Sequence, residues 1–153
     1  MTLTDQSIAL IKQFEGLRLA AYPDPASGGD PWTVGYGATG AGIGPGTVWP
    51  KDLAEADLLD RVDKLIAEVD DLLSVTLPGP CLVALTSFAY NVGIHALSES
   101  TLLRLINAGH PRAAADEFGK WVHASGHVPP GLVTRRAKER EVFLSGLAGP
   151  PTV

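Results

Sequence analysis

The sequence has a single cysteine, Cys81, among its 153 residues. One thiol cannot close an internal disulfide, so packing alone must hold the fold. Cys81 follows Pro78-Gly79-Pro80 and opens an apolar run, which reads as a small buried hydrophobe. Long hydrophobic runs are missing as well. No stretch approaches the roughly 18 apolar residues that a membrane span needs. The start, Met1-Thr2-Leu3-Thr4-Asp5, has no basic segment leading into an apolar one, so no signal peptide of the usual form is expected, and the expected location is the cytoplasm. Positive charge is scarce: 12 Lys and Arg face 17 Asp and Glu, a formal net charge of −5. That balance argues against a nucleic-acid binder, which carries a basic stripe. It also gives no electrostatic pull toward an anionic envelope. Of the four histidines, His123 and His127 stand four apart, but Ser125-Gly126 and Pro129 oppose a helix there. With no carboxylate motif beside them, neither a metal nor a cofactor is expected.

What is present suits one domain, in two lobes. Hydrophobic residues make up 45% and charged residues 19%, an ordinary globular balance. Gly and Pro crowd into residues 23–50. Residues 5–14 carry apolar side chains at near-helical spacing, with Thr4 or Asp5 as cap and Gly16 as stop. Residues 17–49 hold strand formers, of which Thr33-Val34-Gly35-Tyr36-Gly37 is the clearest strand. Residues 51–74 place Leu58, Val62, Leu65, Ile66, Val69, Leu72 and Leu73 on one face of a long helix. Beyond them the pattern predicts shorter helices: Leu82 to Val92, buried all round; one capped by Ser100 or Thr101 and stopped by Gly109; one over 111–119 begun by Pro111; and one over 132–144. The tail 149–153 is expected to fray.

Chemistry concentrates at Glu15, which ends the first helix beside Phe14. Asp24 lies nine residues on and Thr33 nine beyond that. Two carboxylates facing across a cleft can divide acid and base roles. Glycoside hydrolysis needs such a pair, one protonated toward the leaving oxygen and one ionised to activate water or stabilise positive charge. The spacing alone matches no general signature, and a solvated carboxylate at a helix end is the plain alternative.

Three stretches sharpen the reading. The first is Phe14-Glu15-Gly16-Leu17-Arg18-Leu19-Ala20-Ala21-Tyr22-Pro23-Asp24, followed by Trp32-Thr33-Val34-Gly35-Tyr36-Gly37. The second is Phe88-Ala89-Tyr90-Asn91-Val92-Gly93, followed by Ser100-Thr101-Leu102-Leu103. The third is Gly131-Leu132-Val133-Thr134-Arg135-Arg136-Ala137-Lys138-Glu139-Arg140-Glu141. In this order the chain resembles the phage lysozyme family, glycoside hydrolase family 24, which includes many endolysins.

The resemblance implies an α+β, lysozyme-like fold. Residues 15–50 would form a small antiparallel-sheet lobe with the cleft, 51–75 the inter-lobe helix, and 1–14 with 76–147 the helical lobe of one domain spanning 1–153. It implies hydrolysis of the β-1,4 bond between N-acetylmuramic acid and N-acetylglucosamine, with inversion, for which a carboxylate separation of about 6.5–9.5 Å is usual. Glu15 matches the general acid, Asp24 the second carboxylate and Thr33 the residue that holds the attacking water. Arg136 matches an arginine beside the catalytic glutamate. Tyr90 and Asn91 match cleft positions. Trp32 can stack on sugar, as can Trp49 or Trp121, and Arg135 can meet substrate carboxylates.

Two departures stand out. The chain between Asp24 and Thr33 is longer than in the shortest members, and the added turn brings a rival carboxylate, Asp30; Asp24 is favoured because its distance from Glu15 fits. Many members carry His where this chain has Ala38. The expected substrate is bacterial peptidoglycan, met by a monomer after a pore-forming membrane partner opens the way from the host cytoplasm to the wall. No added wall-binding domain is expected. The rivals are a lytic transglycosylase, which can dispense with Asp24, and a non-catalytic glycan-binding protein, which has no need of Glu15.

Overall fold

The chain enters its first helix through a capping box. The Thr2 hydroxyl accepts the Asp5 N–H at 3.0 Å, and the Thr2 N–H donates to Asp5 Oδ2 at 3.2 Å. Two otherwise unpaired donors are satisfied, so helix α1 runs Leu3–Lys12, two residues earlier at each end than the apolar spacing suggested. The computed structural model describes residues 1–148; the tail expected to fray lies outside them.

After α1 comes a small antiparallel sheet of two strands, β1 (Arg18–Tyr22) and β2 (Thr33–Gly35). Arg18 pairs with Gly35 and Tyr22 with Thr33, so five residues oppose three and the register is irregular between them. β2 stops short of the expected Gly37 because the chain turns at Gly35. Val34 and Ala38 exchange backbone hydrogen bonds at 3.0 and 2.8 Å across this turn. Gly35 has φ +68, and a Cβ there would stand 3.1 Å from Trp49 Cζ3, so both backbone and space demand glycine.

Helix α2 (Lys51–Leu72) has 22 residues, about 33 Å at the usual rise. Its Ala54, Leu58 and Val62 pack with Ile11 and Tyr36 in a small core under the sheet. Its Val69 belongs to a second, larger core. One rigid rod thus anchors both lobes.

The larger core surrounds α3 (Gly79–Val92), whose residues 83–89 are all buried, as expected of an apolar central helix. Gly93, at φ +98, ends α3 and leads into α4 (Ile94–Ser98). Ser100 caps α5 (Thr101–Asn107) by accepting the Leu103 N–H at 3.0 Å. α6 spans only Pro111–Ala115, and a 3-10 turn at Phe118–Lys120 replaces the remainder of the single helix expected over 111–119. α7 covers Pro130–Leu147. Three edge-on aromatic pairs tie these elements: Phe88–Phe118 at 5.5 Å, Phe88–Trp121 at 5.4 Å and Phe118–Phe143 at 5.6 Å between centroids.

Cys81 sits where α3 meets the end of α7. Its thiol donates to the Phe143 carbonyl at 3.3 Å, and burial pushes its pKa up to about 11. It behaves as the small buried hydrophobe the sequence suggested. The contact leaves no spare room: a Cβ on Gly146 would lie 2.9 Å from Cys81 Sγ and 3.2 Å from the Cys81 backbone nitrogen. Gly146→Ala is therefore expected to destabilise by about 1–3 kcal/mol through overpacking. Urea unfolding should show a lower midpoint at unchanged slope; an unchanged midpoint would show that α3 and α7 can part freely here.

Candidate active site

Glu15 is fixed from below by the end of α1. The helix closes at Lys12, but the Phe14 and Glu15 N–H groups still bond the Ile11 carbonyl, at 3.0 and 2.9 Å. Ile11 is fully buried in the small core, so Glu15 hangs from a rigid point. Its side chain is about one quarter exposed, and its Oε1 accepts a hydrogen bond from Arg135 Nη1 at 2.9 Å. The Arg135 guanidinium lies 5.4 Å over the Phe14 ring. A cavity of about 510 Å³ opens here, with Phe14, Glu15, Asn91, Pro129, Leu132 and Arg135 in its wall.

The cation beside Glu15 is Arg135, one residue before the arginine expected from the resemblance. Arg135 is 3% exposed and Arg136 1%. Arg135 borders the Glu15 cavity and Arg136 the one beside Trp121, and hydrogen bonds tie each of them to other side chains as well. Arg135 reaches Glu139 Oε2 through Nε at 3.2 Å and the Ser87 carbonyl through Nη2 at 3.0 Å. Arg136 donates to Glu139 Oε1, to Asn91 Oδ1 and, at 2.8 Å, to the Trp121 carbonyl. Its ring-facing side rests 5.0 Å from Phe88. Burial favours the neutral form of Arg136 and Glu139 opposes this, with a net lowering of its pKa.

Tyr90 ties the lobes together. Its hydroxyl donates to the Tyr36 carbonyl, which also accepts from Arg61 Nη2 at 3.4 Å. Arg61 lies 5.1 Å over the Tyr90 ring. Burial raises the Tyr90 hydroxyl to about 12, against the pull of Arg61, so it remains a neutral donor near pH 7. Its one proton is committed to the Tyr36 carbonyl, which leaves its oxygen as an acceptor. Asn91 borders both the Glu15 cavity and a neighbouring one of about 390 Å³ beside Trp121 and His123.

Asp24, Thr33 and Trp32 come from the hairpin and are not among the residues lining the Glu15 cavity. The Tyr22–Thr33 pair brings Asp24 and Thr33 to the same end of the sheet. Asp24 is half-buried, and its Oδ2 accepts the Ser27 N–H at 3.1 Å, closing the added turn. Asp30 is exposed, and its carbonyl takes the Ser27 hydroxyl at 3.3 Å. Trp32 is half-buried at the start of β2. Trp49 packs in the small core and Trp121 against the large one.

Sequence reasoning missed Glu139 and Ser87. Glu139 is wholly buried and takes the Ser87 hydroxyl at 2.6 Å as well as both arginines. Its spacing, three and four residues after the arginines, places all three on one helix face. That spacing was readable. Burial of the face was not, since charged faces are usually solvated. Also missed was the Lys12–Glu55–Tyr36 chain, in which Glu55 accepts from both neighbours at 2.7 Å and is held below the usual carboxylate range by them.

The phage lysozyme family matches residues 12–139, most of the chain. The endolysin of Bacillus phage B103 is 44% identical over 146 residues, which cover 95% of this chain and 55% of that protein. The chain thus spans little more than half the length of that relative. Among solved structures, the endolysin from Escherichia coli O157:H7 phage FAHEc1 superposes with a TM-score of 0.80 at 32% identity, covering 99% of this chain and 98% of the other. The muramidase domain of SpmX from Asticaccaulis excentricus gives a TM-score of 0.80 at 33% identity, covering 90% and 94%.

Proposed function

Because the chain belongs to the phage lysozyme family, we propose that it is an endolysin-type muramidase that hydrolyses the β-1,4 bond between N-acetylmuramic acid and N-acetylglucosamine in bacterial peptidoglycan. The observation that carries the reading is Glu15 itself: a carboxyl anchored to the buried end of α1, facing an open cavity, with one oxygen held by Arg135. With Oε1 so engaged, Oε2 is the oxygen that delivers a proton to the glycosidic oxygen as the bond breaks. The sugar then carries positive charge at its anomeric carbon. Asp24 is assigned the ionised second carboxylate and Thr33 the hydroxyl that orients the attacking water, with inversion as the outcome. Both sit at the same end of the hairpin, and the Tyr90 tie holds that hairpin against α3.

The relatives named as endolysins are phage proteins, and the same setting is assigned to this chain. It is made in the host cytoplasm, reaches the wall through a lesion made by a pore-forming membrane protein, and acts as a monomer.

Digestion of purified peptidoglycan followed by mass spectrometry tests the reaction. Hydrated muropeptides with a free reducing muramic acid are expected. Anhydro products would transfer the chain to the transglycosylases, and glycan binding without products would make it a binding protein.

A further inference from the structure

Glu139 has no place in the proposed reaction, yet it is the most deeply buried charge in the described chain and the point where the site's cations converge. Its Oε2 takes Arg135 Nε at 3.2 Å and the Ser87 hydroxyl at 2.6 Å, and its Oε1 takes Arg136. Arg135 is therefore shared: Nε points to Glu139 and Nη1 to Glu15. The charged and titratable groups facing this cluster are Arg135, Arg136 and Glu139 from α7, Glu15 from the segment after α1, and Tyr90 from α3. Tyr90 stays neutral, so two cations balance two anions when Glu15 is ionised.

Deepening the proposed function, and resting on it, we propose that Glu139 is a positioning residue that divides the charge of Arg135, so that Glu15 can hold its proton until the glycosidic oxygen takes it. Arg135 Nη1 stands 2.9 Å from Glu15 Oε1, so its positive charge acts directly on the carboxyl that has to carry the proton. Glu139 offers Arg135 a permanent second anion on its other edge, and Ser87 takes a further N–H through its carbonyl. When Glu15 is protonated, Arg135 and Arg136 keep Glu139 as a common partner, and the cluster carries one excess positive charge instead of two. The buried carboxylate also fixes the guanidinium plane, which keeps Nη1 on Oε1 and leaves Oε2 to the substrate.

The test is the pH profile of reducing-end release at limiting peptidoglycan, where kcat/KM reports the free enzyme, for the wild type, Glu139→Gln, Arg135→Gln and the double variant. Loss of the Glu139 charge is expected to move the alkaline limb down by about one pH unit, a tenfold change in the protonated fraction. Loss of Arg135 should move it up. In the Arg135→Gln background, adding Glu139→Gln should move the limb by much less than it does alone. A uniform drop in rate with an unmoved limb would overturn the proposal, as would an equal shift with and without Arg135. Should Glu139→Gln alone not fold, the upward limb of Arg135→Gln and the near-identity of the double variant to it remain the deciding readings, and a large downward shift between those two refutes it. Inactivity of the wild type would strike at the muramidase reading instead.

Discussion

Glu15→Gln is expected to lower the rate of peptidoglycan cleavage by about 10²–10⁴-fold, the usual contribution of a positioned general acid. The substitution keeps the shape of the side chain and removes only its capacity to give up a proton. The amide oxygen can still accept from Arg135 Nη1, which stands 2.9 Å from Oε1 in the wild type. Arg135 retains Glu139 and the Ser87 carbonyl as partners, so no buried cation is orphaned and the thermal midpoint should stay within a few degrees. The pairing of a silent reaction with an intact melt, read by reducing-end release and circular dichroism, separates loss of chemistry from loss of fold. Retention of more than a tenth of the wild-type rate would remove Glu15 from the acid role.

Legibility from sequence followed burial. Where one face of an element is apolar and the other polar, periodicity places it: α2 begins at the expected residue and ends at Leu72, close to the reading of 51–74. Where special backbone is needed, glycine and proline mark it, as at Gly109 (φ +88) just after α5 and Pro111 at the start of α6. The hairpin was harder. Its β2 strand has only three residues, because the Val34–Ala38 turn consumes the rest of an otherwise strand-like run. Pattern records preference for extended backbone, whereas the turn forms at Gly35, whose φ is +68 and against which Trp49 packs.

The site divides along the same line. Glu15 was legible because a helix-end carboxylate, followed by a second in a Gly-rich hairpin, lies within a recognisable stretch. The identity of its cationic partner was not, since Arg135 and Arg136 are neighbours on one helix face and only the position of α7 chooses between them. A similar limit applied to Tyr90, whose ring could face the cleft or the lobe junction. The Tyr36 carbonyl takes its hydroxyl, and no sequence pattern reports a long-range bond to backbone.

Phe88→Ala should produce the largest loss of stability of any single truncation discussed, about 3–5 kcal/mol. In a chain of this size each kcal/mol lowers the melting midpoint by about 2–4 °C, so calorimetry should find a fall of about 10–15 °C. Phe88 is fully buried at the centre of α3 and meets Phe118 and Trp121 edge-on. Its removal opens a cavity between elements that no short loop can collapse. The damage should also reach the site. The Arg136 guanidinium rests 5.0 Å over the Phe88 ring while donating to Glu139, and Ser87, the neighbouring residue, supplies two acceptors to Arg135. The variant, assayed well below its own melting midpoint, should therefore cleave peptidoglycan more slowly than the wild type at the same temperature. Leu58→Ala, which empties a position in the small core under the sheet, should lower stability without touching the arginines. A Phe88→Ala midpoint within about 3 °C of the wild type would show that the aromatic cluster does not carry the larger core. Full activity in the folded variant would show that the ion cluster is held by its own hydrogen bonds, independent of the rings beneath it.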